Sequence, residues 1–504
     1  MGKFYVTTAI AYVNAPPHIG FALEVIQADV LARYHRLKGD DTFYLTGVDE
    51  HGVKLYEAAI AAGVTSQQFV DQNAEKFKAL KGILNLSNDD FIRTTSDRHK
   101  AGAKKIWMKM VESGDIYKGS YKGNYCVGCE AYIADKDLDE NGCCPIHKKK
   151  PAVLEEENYF FKLSKYSDKI KHAIETGEMK VVPVARKHEI LNLIGEAGLN
   201  DVSFSRPKNL LPWGIDVPND DGQVMYVWCD ALTNYISALG YGSEDESDFE
   251  KFWPCDAHII GKDILRFHAG VWIGMLMSAG IKLPKAVCVH GFITSEGQKM
   301  SKSLGNVVDP LIYVDKYGAD ALRYFLMKEI PTSDDGDFSH ERFVKVFNSE
   351  LANGLGNLVN RVVMMTERYL EAKVPDETNG EGVFEKIEGL MKRYEVALEA
   401  FDLKVACEAI VELVDFGNKY IDDKKPWVMA KEENKELPAV LYNLLELLRF
   451  AAILLLPYIP ETAEKIFKQL GLKTEDAKWD GKWGVLQKGT VVQKADGLFP
   501  RLEE

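Results

Sequence analysis

Apolar positions in the first hundred residues switch between two periods. Phe4-Tyr5-Val6-Thr7-Thr8-Ala9 is a short, nearly continuous apolar run, the pattern of a buried strand. A loop broken by Pro16 and Pro17 follows. Val25, Ala28, Leu31 and Ala32 then recur at helical spacing and predict a helix over Phe21–His35. Phe43–Val48 reads as a second strand, closed by Asp49-Glu50-His51-Gly52, and helices are predicted over Ser66–Leu84 and Asp97–Ser113. Alternation of this kind predicts a parallel sheet with helices on both faces. It stops near Asp115. Residues 116–224 carry Gly, Pro, Cys and short β-like runs and read as an inserted module. Parallel-strand signals resume at Met225-Tyr226-Val227-Trp228, His258-Ile259-Ile260 and Ala286–His290. From Glu341 the period is helical, strongest over Leu403–Tyr420 and Leu441–Leu456, with a polar connection at Pro375–Gly382, which predicts a helical bundle.

The expected architecture is therefore an α/β, Rossmann-like parallel-sheet domain in two halves, 1–115 and 225–290, with the insert at 116–224 between them. A connecting region at 291–340 leads to an all-α domain at 341–504. A chain of 504 residues exceeds one ordinary core, in line with several units. The net charge of −14 argues against coating nucleic acid non-specifically, but leaves room for one shaped RNA partner docked on local basic patches. The start of the chain runs straight into a strand pattern rather than an export signal, and Val6 stands where a myristoylation signal wants Ser or Thr. The longest charge-free apolar stretch, Phe450 to Pro460, is too short to cross a bilayer, contains Pro457 and reads as a buried helix end. Eight cysteines without an export signal suggest reduced thiols or metal ligands, and a cytoplasmic location.

Two short elements carry chemistry. His18-Ile19-Gly20 falls where a strand hands over to a helix. A helix N-terminus offers unpaired N–H groups to a phosphate chain, Gly20 lets a flat base approach the backbone, and His18 can donate to a phosphoryl oxygen. Alone, the triplet is no more than a turn with a helix-start histidine. Lys299-Met300-Ser301-Lys302-Ser303, with Gly291 and Gly297 before it and Gly305 after it, has the composition of a mobile loop carrying two ammonium groups. Such lysines can clamp the oxygens on which charge builds in phosphoryl and nucleotidyl transfer. Together, in this order around one parallel sheet, the two elements indicate an ATP site.

Cys126-Val127-Gly128-Cys129 and, after fourteen residues, Cys144-Pro145-Ile146-His147 have the spacing of a Cys₃His zinc knuckle, so Cys126, Cys129, Cys144 and His147 are the expected ligands of one structural Zn²⁺. Cys143 breaks the two-residue spacing.

With these residues in view, the chain resembles the class I aminoacyl-tRNA synthetases, whose signatures are HIGH and KMSKS. Phe21 stands where that family usually has its second histidine. The segments Ile10-Ala11-Tyr12, Phe43–Gly52, Tyr226–Tyr235 and Gly261–His268 resemble those of the methionyl-tRNA synthetases in particular. The resemblance implies an ATP site of His18, Gly20, Phe21, Glu24, Gly261, Asp263, Lys299, Ser301 and Lys302, with Asp263 at the ribose and Glu24 near the adenosine. Catalysis would rest on His18, Lys299 and Lys302, with Mg²⁺ on the ATP phosphates. It implies a methionine pocket of Ile10, Tyr12, Asp49, Trp228, Ala231, Leu232, Tyr235, Ile264 and His268. An aromatic wall suits a polarizable thioether, Asp49 can pair with the ammonium group, and Tyr12 and His268 can offer hydrogens near the sulfur. It further implies a helical domain that reads the anticodon of a methionine tRNA through Asn357, Arg361, Pro426 and Trp427, and a zinc-binding insert. Because no dimerisation segment follows the bundle, a monomer is expected. The competing readings are a class I synthetase for another amino acid, a nucleotidylyltransferase with a similar His-Ile-Gly element, and an idle RNA-binding relative.

Overall fold

The computed structural model describes residues 2–126, 131–133, 135–145, 148–300, 306–377, 379–380 and 382–503. At its centre is a seven-stranded sheet, parallel in every described pairing. Its strands are β1 (Lys3–Thr8), β2 (Ala11–Tyr12), β3 (Asp41–Asp49), β4 (Asp90–Arg93), β5 (Lys180–Val182), β6 (Ala257–Gly261) and β7 (Ala286–His290). The order is β2-β3-β1-β6-β7-β5, with β4 also paired to β3. β6 and β7 are buried along their whole length, which is why they read as continuous apolar runs rather than alternating ones.

The first helix, α1 (Ile19–Leu37), starts two residues earlier than its periodicity predicts. It is buried nearly all round, including Glu24, Gln27 and Asp29, because the sheet covers one side and the helical domain another. Gly52, at φ 117°, a conformation that glycine adopts readily, caps the start of a helix, Val53–Ala62, which the sequence pattern did not separate.

Two expectations about the middle of the chain change. Met225-Tyr226-Val227-Trp228 is not a parallel strand. Asp220–Met225 is the central strand of a small antiparallel sheet, and α2 (Val227–Leu232) begins behind Tyr226. Four apolar residues carry no period that separates a strand from the first turn of a buried helix. Residues 116–224 do more than form a separate module: a long hairpin pairs Ile116–Cys126 with Ala152–Phe161, while β5 returns to the central sheet beside β7.

The C-terminal part is helical: α3 (Ala319–Glu329), α4 (Asn357–Leu370), α5 (Val383–Glu399), α6 (Leu403–Lys424), α7 (Pro426–Lys431), α8 (Leu437–Leu455) and α9 (Pro460–Gln469). α8 is long and apolar enough to cross a membrane, but it is almost wholly buried as the core rod of the bundle. Its charged pair, Arg449 and Glu446, is satisfied internally at 2.8 Å.

Candidate active site

The carboxyl ends of β1, β2, β3, β6 and β7 lie along one edge of the sheet, where parallel α/β folds bind ligands. His18 is the N-cap of α1, and its Nδ1 accepts the Gly20 N–H at 3.1 Å. In the neutral ring the proton therefore sits on Nε2, which leaves a donor for a ligand oxygen. Although His18 is exposed to the cleft, the protein crowding it lowers its pKa by desolvation and favours that neutral form. Gly20 is required by this cap: a Cβ there would stand 2.9 Å from His18 Cε1. Phe21 turns away from a donor's role and meets Phe77 edge-on at 5.2 Å.

The segment that follows the Lys299–Ser303 element is joined to this helix start. The backbone of Gln298–Lys299 closes a hairpin with Ile293–Ser295, and Val308 accepts the Ile19 N–H at 3.1 Å. The loop thus returns to the first residue after His18. The Lys299 side chain and residues Ser301, Lys302 and Ser303 lie outside the described part. One turn into α1, Glu24 accepts from His290 Nε2 at 3.0 Å, while His290 Nδ1 donates to the Gly291 carbonyl at 2.8 Å. Burial raises the Glu24 pKa. Burial alone would lower that of His290, but the Glu24 carboxylate outweighs it and raises it. Among the described residues, Glu24 Oε1 has no hydrogen-bond partner. Gly261 ends β6 beside exposed Asp263, and a Cβ at Gly261 would lie 2.9 Å from Asp263 Oδ1. His290 is a residue the sequence reading missed; its position at the end of a parallel strand was the available signal.

Beside this cleft the predicted pocket residues converge. The β2–β3 register sets Tyr12 directly opposite Asp49, whose carboxylate is buried at the end of β3. Trp228, from α2, stacks on Phe267 at 3.8 Å with the rings 6° from parallel. Ala231, Leu232 and Tyr235 are buried behind it, and Ile10 and Ile264 are half-buried against the same core. A π-helical turn over Phe267–Val271 carries His268. The His268 ring is fully committed: Nδ1 donates to the Ile264 carbonyl at 3.0 Å and Nε2 accepts the Tyr235 hydroxyl at 2.7 Å. Burial lowers its pKa to about 4. His268 thus lines an uncharged pocket but has no hydrogen left for a sulfur atom, which corrects the expectation that it offers one.

Behind the pocket lies a group with no signal in any one segment. Asp230, on α2, accepts from His51 Nδ1 at 2.6 Å and from His99 Nε2 at 2.7 Å, all three buried. It thereby clamps the Asp49–Gly52 segment to the helix that carries Trp228. Glu50 is held by Arg93 at 2.8 Å, and its carbonyl accepts Trp213 Nε1–H at 2.6 Å. Burial alone would raise the Asp230 pKa, but the two imidazoles outweigh it and hold it at about 2. A carboxylate depressed from 3.8 in this way contributes stability above pH 4 that is lost as pH falls towards 2, about 2 kcal/mol in all. Asp230→Asn is therefore expected to lower the urea midpoint at pH 7 and to flatten its decline between pH 4 and 2. An unchanged acid profile would contradict this.

In the helical domain, Arg361 on α4 pairs with Asp422 at 2.6 Å, and its guanidinium lies 5.9 Å from the ring centre of Trp427. Trp427 is 38% exposed, so it is a surface aromatic and not part of the bundle core. Pro426 begins α7, and Asn357, one turn before Arg361, faces Asn418 at 3.5 Å. Of the predicted zinc ligands, Cys126 ends one arm of a tight hairpin and Cys144 opens a turn closed by its backbone bonds to Lys148 and Lys149, both buried. Cys129 and His147 lie outside the described residues. Among the described residues no group of three or more metal-binding side chains gathers.

Residues 4–149 and 136–363 match the family described as tRNA synthetases class I (M), and residues 374–504 match the anticodon binding domain of methionyl tRNA ligase. Methionine–tRNA ligase of Thermotoga maritima is 44% identical over 99% of this chain and 80% of its own length. That of Caldanaerobacter subterraneus subsp. tengcongensis is 44% identical over 99% and 79%. The Mycobacterium tuberculosis methionyl-tRNA synthetase in complex with methionyl-adenylate superposes with a TM-score of 0.94 at 39% identity, covering 99% of this chain and 100% of that one. Its apo form gives a TM-score of 0.88 at 36% identity, over 100% and 99%. With a helix-start histidine, a lysine loop tied to it and an aromatic pocket at one sheet edge, and with likeness running the length of both chains, this chain belongs to the methionine–tRNA ligases, a family of class I aminoacyl-tRNA synthetases.

Proposed function

We infer that the chain activates L-methionine with ATP, giving methionyl-adenylate and pyrophosphate, and then transfers methionine to the 3′ end of its tRNA. The observation that carries this reading is the meeting, at one sheet edge, of His18 with a buried carboxylate and an uncharged aromatic pocket. Asp49 pairs with the methionine ammonium group, while Trp228, Tyr12, Tyr235 and the neutral His268 enclose the thioether. The substrate carboxylate attacks the α-phosphorus in line. His18 Nε2–H, Lys299 and Lys302 stabilise the charge that develops on the phosphate oxygens, so no general base is needed. Glu24 Oε1 and Asp263 are the acceptors on the adenosine side, and Mg²⁺ rides on the ATP phosphates. Trp427 supplies a stacking surface for an anticodon base, with Arg361 and Asn357 at its edge.

ATP–pyrophosphate exchange, run with each amino acid in turn, tests the activity. Exchange with methionine is expected. Exchange with isoleucine or cysteine but not methionine would overturn the specificity, and none at all would favour an idle relative.

Cys126 and Cys144, both buried, would supply two ligands of a closed S₃N site, with Cys129 and His147 as the other two. Zinc there supplies a structural cross-link for a module with little core of its own. One equivalent of zinc by mass spectrometry is expected, lost in Cys144→Ser together with resistance of residues 116–161 to proteolysis. A metal-free wild type would remove this site. The same reading places the enzyme in the cytoplasm as a monomer.

A further inference from the structure

We propose that the buried ion pair of Arg323 with Asp29 couples the anticodon-binding domain to α1, so that RNA on the Trp427 face adjusts the helix that begins at His18. The proposal rests on the function inferred above and adds positioning residues to it.

Arg323, on α3, is completely buried, and its guanidinium reaches three separate segments. It pairs with Asp29 of α1 at 2.7 Å. It donates to the carbonyls of Tyr458 at 2.7 Å and Pro457 at 2.9 Å, in the turn between α8 and α9. It also donates to the Leu84 carbonyl at 3.1 Å. Asp29 is in turn bound by Arg33 at 2.8 Å and by the Ser87 N–H at 2.6 Å. Burial alone would raise the Asp29 pKa, but the surrounding guanidinium groups outweigh it and lower it, so the carboxylate stays charged. Asp320, one turn before Arg323, accepts the Thr462 N–H at 2.6 Å and grips the start of α9.

The geometry joins the two ends of the molecule. α7, which carries Trp427, and α4, which carries Arg361, both pack on α8. α8 is a buried rod of 19 residues, about 28 Å long at 1.5 Å per residue, whose far end is the turn held by Arg323. From Asp29 it is about one and a half turns back along α1 to Glu24 and about three to His18. A rigid helix packed against α4 and α7 and held by directional bonds at its far end transmits a small displacement to that end, where apolar contacts alone would let it slide. Without RNA, α1 keeps Arg33, Ser87 and the sheet, so breaking the Arg323 link leaves amino-acid activation in place.

Arg323→Lys keeps the charge opposite Asp29 but cannot reach the other segments. Per active site titrated by adenylate formation, methionine-dependent exchange without tRNA is expected to stay within threefold of wild type. Aminoacylation kcat should fall at least tenfold at unchanged methionine KM, and the preference for the native over an altered anticodon should shrink. Equal losses in exchange and aminoacylation, or no loss in either, would overturn the coupling.

A measurement on the unaltered protein decides the question even if the variant does not fold. Adding an anticodon stem–loop hairpin should change amide hydrogen exchange in Ile19–Leu37 and Ala319–Glu329 as well as around Trp427. A hairpin that binds and protects only the Trp427 region would overturn the coupling and leave the proposed function standing. A hairpin that does not bind would count against the anticodon reading itself.

Discussion

Lys302→Ala is expected to slow methionyl-adenylate formation by about 10²–10³-fold while leaving methionine affinity nearly unchanged, because removing one preorganised donor from a developing oxyanion costs that much. The loop bearing Lys302 leaves a short hairpin and returns to Val308, whose carbonyl accepts the Ile19 N–H at 3.1 Å. The Val308 anchor brings the chain after Lys302 next to the residue that follows His18, where the triphosphate would lie against the helix N-terminus. The pocket around Asp49 and Trp228 is built from other segments and is untouched by the substitution. Rapid-quench measurement of adenylate formation, set beside equilibrium binding of methionine, separates the two effects. Wild-type turnover would remove Lys302 from the chemistry. Equal losses in binding and rate would make it a structural residue instead.

The two motifs were readable because each is contiguous and its chemistry follows from position: a helix start for phosphate, a glycine-flanked loop for mobile lysines. Four of the seven strands of the central sheet were readable, β6 and β7 because burial on both faces makes them nearly continuous apolar runs; β2, β4 and β5, two to four residues long, are too short to carry a period. Contacts between distant segments were not. His51, His99 and Asp230 lie in three unrelated stretches, and nothing in any one of them signals a shared carboxylate. Glu24 and His290 are separated in the same way. The run at Met225-Tyr226-Val227-Trp228 misled because a buried helix start and a buried strand look alike over four residues. His268 was legible as a candidate pocket residue, but the two hydrogen bonds that occupy its ring are supplied only by the fold. Trp427 shows the opposite case. As a single aromatic it fits a core as well as a surface, and its 38% exposure beside Arg361 is what favours stacking on a base.

Phe21 sharpens the electrostatic argument. Its ring packs on Phe77 and supplies no donor, so fewer groups remain to stabilise the phosphate charge. The dependence on Lys302 and on neutral His18 should therefore be steep. Desolvation by the surrounding protein lowers the His18 pKa and so favours the neutral donor form.

Asp49→Asn is expected to weaken methionine binding by about 10–150-fold, the loss of a charge-assisted hydrogen bond worth roughly 1.5–3 kcal/mol. The substitution keeps the size of the side chain and its place at the end of β3, opposite Tyr12. Because Asp49 is only 7% exposed, water screens it little, and a bound ammonium group is paired in a low-dielectric setting. The KM for ATP should stay within about threefold, since His18, Gly20 and Glu24 belong to a different helix. Loss of the whole pocket would give a similar rise in methionine KM, so a second ligand is needed. Methionine without its amino group offers no cation to Asp49. Wild type should bind this analogue far more weakly than methionine, whereas Asp49→Asn should bind the two with similar affinity. The double-mutant logic then assigns the coupling to the carboxylate–ammonium pair. If the variant discriminates between the two ligands as strongly as wild type does, the ammonium group is held elsewhere and the carboxylate of Asp49 serves the pocket through its contacts within the protein, among them the His51 N–H, 3.5 Å away.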